Sequence, residues 1–150
     1  MELIKKFQNK TVFLDTAPVI YYIEENKKYS GLLDKLFVAN QQNKFQFSTS
    51  VLTLMELLVH PIRRNETKLI KEYEKILCNS SSLDIYEISI EIAKRAGKIR
   101  AEYNFKTPDS IQLATAVLSH SEFFLTNDKS LKSFKDIVIV ILDEAIEDNE

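Results

Sequence analysis

Short apolar runs alternate along the chain with longer amphipathic stretches. Thr11–Asp15 (TVFLD), Phe45–Ser48, Leu83–Ile88, Glu122–Thr126 and Ile137–Leu142 are each a few residues long, which is strand length. The segments between them carry helical signals. Pro18 opens a helix through Glu25, with Thr16 or Ala17 near its cap, and Ser30 is the N-cap of a second that runs to about Gln42. Ser50–Val59 reads as a helix stopped by Pro61. Glu66–Cys78 sets Leu69, Ile70, Tyr73, Ile76 and Leu77 on one stripe, and Ser89–Tyr103 keeps Ile92, Ala96, Ile99 and Tyr103 in phase. Thr107–Ser119 has Thr107 as N-cap and Pro108 at the first helical position.

Strands interleaved with helices of this length predict the α/β class, with a mostly parallel sheet covered on both faces. The unbroken apolar runs FFLT and IVIVIL fit, because central parallel strands are buried on both sides. In such sheets ligands bind beyond the carboxyl ends of the strands, where the strand order reverses. Acids at that rim are therefore the first place to look for chemistry.

Composition narrows the class. The 150 residues suit one domain, expected over 1–142, followed by an acidic tail over 143–150. A single cysteine, Cys78, excludes an internal disulfide framework and a cysteine-cluster zinc site. The longest apolar run, Ile137–Leu142, is too short to span a bilayer, and MELIKKFQNK lacks the apolar core of a signal peptide. The expectation is a soluble, cytoplasmic protein with no membrane partner. The net charge is -2, but five acids fall within Asp143–Glu150, so the body is mildly basic at 20 basic to 17 acidic residues. An excess this small neither marks nor excludes a nucleic-acid binder.

Four acids stand where chemistry would sit. Asp15 ends the first strand, beside the start of a helix, and taken alone it reads as a cap. Glu56 interrupts the apolar helix VLTLMELLV, where an unpartnered carboxylate is costly. The plainer alternative is a partly exposed Glu on the polar edge of the helix; its place inside the helix argues against a capping box with Thr53. Asp109 falls in the first turn of its helix, where acids are common because the dipole favours them. Asp128 lies just past the strand FFLT and could equally be a turn residue. Brought to one rim, four carboxylates repel and raise one another's pKa unless a cation is present. Mg²⁺ or Mn²⁺ suits such all-oxygen donors.

These residues resemble a known family. Asp15 in FLDTAPVIYYIE, Glu56 in TLMELLVHP, Asp109 in TPDSIQLATAV and Asp128 in FLTNDKSL are similar, in order and separation, to the four acidic motifs of PIN-domain nucleases, and most of all to the VapC-type ribonuclease toxins of toxin–antitoxin systems. The similarity runs from about residue 11 to 142. It implies a three-layer α/β/α fold and Mg²⁺- or Mn²⁺-dependent hydrolysis of RNA. Carried over by motif, Asp15, Glu56 and Asp109 are the principal metal ligands, Asp128 completes the cluster directly or through water, and Thr126 supplies a supporting hydroxyl. The implied partners are RNA, a cognate antitoxin and a second copy of the chain. Many members carry Asn or Ser two residues after the first Asp; Ala17 stands there here.

The remaining candidates are weaker. Arg63, Arg64, Lys94, Arg95, Lys98, Arg100 and Lys106 could contact phosphate, though each singly reads as a solvated cation. His60 and His120 lack partners at zinc-ligand spacing, and Tyr21, Tyr22 and Ile23 suit core packing or a partner surface. No P-loop, dinucleotide fingerprint or nucleophile-elbow motif is present. A haloacid-dehalogenase-like phosphatase expects an acid two residues after Asp15, and a receiver domain an early acidic pair; neither is found. The competing reading is a catalytically silent PIN-like module that binds RNA or protein.

Overall fold

Five short parallel strands make one sheet in the order β3-β2-β1-β4-β5, as seen in a computed structural model that describes residues 2–148. They are β1 (Thr11–Leu14), β2 (Gln46–Ser50), β3 (Leu83–Tyr86), β4 (Phe123–Thr126) and β5 (Val138–Ile141). Every pairing is parallel, with Val12 opposite Phe47 on one side of β1 and opposite Phe123 on the other. The helices are α1 (Glu2–Phe7), α2 (Thr16–Ile23), α3 (Ser30–Gln41), α4 (Val51–Arg63), α5 (Thr67–Cys78), α6 (Ile90–Tyr103), α7 (Thr107–Leu118) and α8 (Leu142–Asp148), with a 3₁₀ helix over Lys129–Ser133.

The period-2 geometry of a strand sends neighbouring side chains to opposite faces. Val12 and Leu14 of β1 join Phe47, Phe123 and Leu125 in a core closed by residues of α1 to α5 and α8. Phe13 and Phe124 point the other way, stack with ring centres 5.2 Å apart, and pack beneath α6 and α7. The expected α/β/α layering is thus the observed one.

Several boundaries differ from the sequence reading, each for a local reason. Pro61 does not stop α4. It is the third residue from the end, so it removes one helical hydrogen bond in a turn that Arg63 then completes. Pro18 is the third residue of α2, where its missing N–H would have been an orphan anyway, and the N-cap is Asp15 rather than Thr16 or Ala17. Tyr29 and Lys106, not Ser30 and Thr107, hold the caps of α3 and α7. Two helices were not expected. α1 buries Leu3 and Phe7, and α8 uses Leu142 and residues 143–148 of the expected acidic tail, with Ala145 buried; Asn149 and Glu150 lie outside the described residues. No helix among the described residues is long and apolar enough to cross a membrane.

Candidate active site

From β1 the sheet grows through β2 and β3 on one side and through β4 and β5 on the other. The order reverses between β1 and β4, so the carboxyl ends of these strands border the crevice where parallel sheets take ligands. Asp15 follows β1 directly, and its N–H donates to Leu125 O of β4 at 3.0 Å.

Asp15 caps α2 and also binds across to β4. Oδ1 accepts the Thr16 N–H at 2.9 Å, which caps α2, and Oδ2 accepts from Thr126 Oγ1 at 2.7 Å. Thr126 Oγ1 also accepts the Asp128 N–H at 3.1 Å, so one buried hydroxyl joins the ends of the β1 and β4 motifs. Asp128 is exposed and caps the 3₁₀ helix, accepting from the Ser130 N–H at 3.0 Å and Ser130 Oγ at 2.6 Å.

Glu56 is half-buried on α4, and its Oε1 accepts from Thr16 Oγ1 at 2.8 Å. Thr16 therefore gives one proton to Asp15 and another to Glu56. The capping box from Thr53, which the position of Glu56 inside the helix disfavours, is not formed. Ser50 is the N-cap of α4, and its Oγ accepts the Leu52 N–H at 3.2 Å. Asp109, half-buried, is the third residue of α7, where the free N–H groups favour a negative charge.

Two of the acids, Asp15 and Asp109, are shifted by their surroundings. Burial pushes the Asp15 carboxyl up; hydrogen bonds from Thr126 and the Thr16 N–H oppose this, and the charges of Glu56 and Asp128 add to it. Burial and the charges of Asp15, Asp128 and Glu56 push Asp109 up to about 6, against the pull of Lys106. None of the four is in an ion pair among the described residues. The donors are all carboxylate oxygens with no balancing cation, a set that suits a hard divalent ion. As they stand, no three His, Cys, Asp or Glu side chains among the described residues are close enough together to hold one.

Thr16, Thr53, Ser50 and Gln112 belong to this site and were missed by the sequence reading. Gln112 Nε2 donates to Thr53 Oγ1 at 2.6 Å and Ser50 Oγ donates to Gln112 Oε1 at 2.5 Å. The one available signal was a polar residue inside the otherwise apolar stretch of α7. Thr16, next to Ala17, is the polar side chain that reaches Glu56.

The basic candidates are scattered. Arg64 pairs with Glu66 at 3.8 Å, and Arg100 Nη1 donates to the Phe105 carbonyl and closes the turn into α7. Lys94 and Lys98 are exposed on α6, and Lys106 caps α7 beside Asp109. A basic depression unanticipated in the sequence, of about 640 Å³, lies next to Asp128 in the chain, bordered by Lys27, Lys28 and Lys129 together with Asp143 and Glu147. Tyr21 and Tyr22 stack on Tyr29 and Phe37, in keeping with packing. His60, His120 and Cys78 are exposed.

Comparison with known proteins agrees with this geometry. A toxin–antitoxin complex from Klebsiella pneumoniae superposes with a TM-score of 0.67 at 25% identity, over 87% of this chain and 97% of that one. VapBC2 from Rickettsia felis, bound to a DNA fragment from its promoter, gives 0.69 at 18% identity over 87% and 98%. VapC20 from Mycobacterium tuberculosis, a sarcin-ricin loop cleaving toxin, gives 0.65 at 15% identity over 85% and 98%. No curated protein matches the chain in sequence. The sequence model of the PIN domain, however, matches residues 12–137, a stretch that contains all four acids, and the chain therefore belongs to the PIN domain family.

Proposed function

We propose that the chain is an endoribonuclease dependent on Mg²⁺ or Mn²⁺, and the toxin of a toxin–antitoxin pair. Asp15, Glu56 and Asp109 are the principal metal ligands, Asp128 completes the cluster, and Thr126 is the supporting hydroxyl. One observation carries this reading. Thr16 binds Asp15 with its N–H and Glu56 with its hydroxyl, at the point where the strand order reverses, and neither acid is ion-paired among the described residues.

A divalent ion bound there supplies Lewis acidity toward a phosphodiester and lowers the pKa of a bound water. The chain's own contribution is positioning. Thr126 and the Thr16 N–H fix both oxygens of Asp15, and the Thr16 hydroxyl orients Glu56. Asp109, pushed up to about 6, would have to be deprotonated to ligate a cation, so cation binding should strengthen as pH rises through that value. Lys27 and Lys129 border a depression beside Asp128 and are the cations proposed to meet RNA phosphates there, while Lys28 is paired with Asp143 at 3.1 Å.

The partner reading has support on the surface. Met55, Val59 and Ile62 form a stripe on the helix that carries Glu56 and are 57%, 36% and 58% exposed. Apolar stripes of this kind mark protein interfaces, and an antitoxin is the partner proposed to cover it. Ile88 and Ile90, also exposed, offer a second patch for the proposed homodimer.

The test is cleavage of a mixed tRNA and mRNA pool by purified protein with Mg²⁺ or Mn²⁺, beside an EDTA control and Asp15→Asn. Metal-dependent cleavage is expected to fall by more than about 100-fold in the variant, beyond the loss of an outer hydrogen-bond partner. Equal activity of the two proteins would remove Asp15 from the site. Absence of both cleavage and metal binding would favour the silent module.

A further inference from the structure

Gln112 is an anomaly on its helix. It is 1% exposed, flanked by the fully buried Leu113 and Ala114, at a position where a leucine would gain more from burial. Both ends of its amide are committed. Oε1 accepts from Ser50 Oγ at 2.5 Å, and Nε2 donates to Thr53 Oγ1 at 2.6 Å. Ser50 is the N-cap of α4 and Thr53 its third residue, so the amide grips the first turn of the helix that carries Glu56. Asp109 lies one turn before Gln112 on α7. Thr53 Oγ1 stands 3.4 Å from Thr16 Oγ1, whose proton goes to Glu56 at 2.8 Å.

The arrangement answers a mechanical problem. α4 and α7 each present a carboxylate to the same rim, and like charges drive helices apart. Apolar contacts resist separation but allow sliding and rotation, because dispersion and hydrophobic contacts are non-directional. Two short hydrogen bonds from one planar amide to two points on α4 fix both distance and rotation. Each group is also costly to leave unpaired in the interior, and among the described residues no buried side-chain polar atom lacks a partner.

We propose that Gln112 is a positioning residue that locks α4 against α7, and thereby sets the Glu56–Asp109 separation on which divalent-cation binding depends. The inference rests on the reading of the four acids as a metal centre. Gln112 touches no ligand itself and acts through Ser50, Thr53 and Thr16.

The experiment is Mn²⁺ titration calorimetry of the full chain, with thermal melts of the same samples. Gln112→Met keeps the volume and removes both hydrogen bonds. It is expected to stay folded, bind Mn²⁺ some 10–100-fold more weakly, as outer-sphere partners of metal ligands do, and lose cleavage in parallel. Phe45→Leu, just before the start of β2, is the stability control; it lowers the melting temperature and leaves the Mn²⁺ Kd unchanged. Thr53→Val cuts the same link from α4, and is expected to weaken Mn²⁺ binding like Gln112→Met, so it decides the matter should Gln112→Met fail to fold. Wild-type affinity in folded Gln112→Met, or in Thr53→Val, overturns the role of Gln112 while leaving the metal centre standing. No Mn²⁺ binding by the wild type overturns both.

Discussion

Phe47 and Ser50 lie in the same five-residue strand and open onto buried regions built by different rules. Around Phe47 the rings of Phe45 and Phe37 lie 5.1 and 4.8 Å away, Phe37 stacks on Tyr22 and Phe45 meets Phe7 edge-on. Beside Ser50 runs a polar seam of Gln112, Thr53 and Thr16 that continues through Asp15 to Thr126. Aromatic contacts draw their free energy from area, and several ring orientations serve almost equally well. In the seam each atom has a named partner and a direction, and the net gain is only about 0.5–1.5 kcal/mol per hydrogen bond. The aromatic region holds the fold together, and the seam decides where its charges stand.

The largest effect expected from this contrast is on stability. Phe47→Ala, in a fully buried position, should lose about 3–5 kcal/mol in urea unfolding, a large part of what a domain possesses. Assayed where it is still folded, it should retain the cation affinity of the wild type. A cation affinity that fell with Phe47 would dissolve the distinction between the two regions. Thr126→Val tests the other side. It conserves volume but strips Asp15 Oδ2 and the Asp128 N–H of a partner, at a cost of about 1–3 kcal/mol. Its cleavage should fall further than that of Phe47→Ala, although it is the more stable protein. The reverse ranking would move function out of the seam.

The two regions were not equally visible in the sequence. Apolar runs and helical periodicity report burial, so the strands and their mostly parallel sense could be read directly. The four acids could be singled out, because Asp15 and Asp128 follow buried strands and Glu56 interrupts an apolar helix, but singly they read as caps or turn residues, and only the resemblance joined them as proposed ligands. Hydrogen-bond direction leaves no such trace. Thr16 read as a helix cap, Thr53 at most as half of a disfavoured capping box, and Gln112 as an unremarked polar residue, since their partners lie 37 to 62 residues away in the chain. α1 and α8 were missed because six or seven residues are too few for periodicity, and because the acids of α8 mask the burial of Leu142 and Ala145.

A pH series sharpens the electrostatic half of the contrast. The folded-state pKa of Asp109, about 6, lies above its ordinary value of 3.8, so the fold favours the protonated form. Below about pH 4 the carboxyl is neutral in both states and costs nothing. Stability falls as pH rises from about 4 to 6, and the full penalty stands above that. A rise of this size corresponds to about 3 kcal/mol, and partial exposure reduces it to the order of 1–2 kcal/mol. Melting curves of the cation-free wild type and Asp109→Asn should therefore separate between pH 4 and 6, with the variant the more stable, and run parallel above. Addition of Mn²⁺ should stabilise the wild type more than the variant. Curves that stay parallel throughout would show that neither burial nor the neighbouring charges raise the pKa of Asp109.

The smallest effect is expected where a polar contact has direction but no burial. Lys132 Nζ lies 2.9 Å from Glu144 Oε2, as short as many bonds of the seam, yet the two side chains are 52% and 43% exposed. Water solvates either group when the other is removed, salt screens the pair, and two long side chains lose rotamer freedom in holding it. Glu144→Gln should therefore change stability by less than about 1 kcal/mol, with the difference shrinking as salt is added. Distance is nearly matched between this pair and the bond from Thr126 to Asp15, so the two variants differ chiefly in access to water. If Glu144→Gln cost as much as Thr126→Val, short contact alone would explain the seam. If it costs little, what gives the seam its hold on the acids is direction made obligatory by burial.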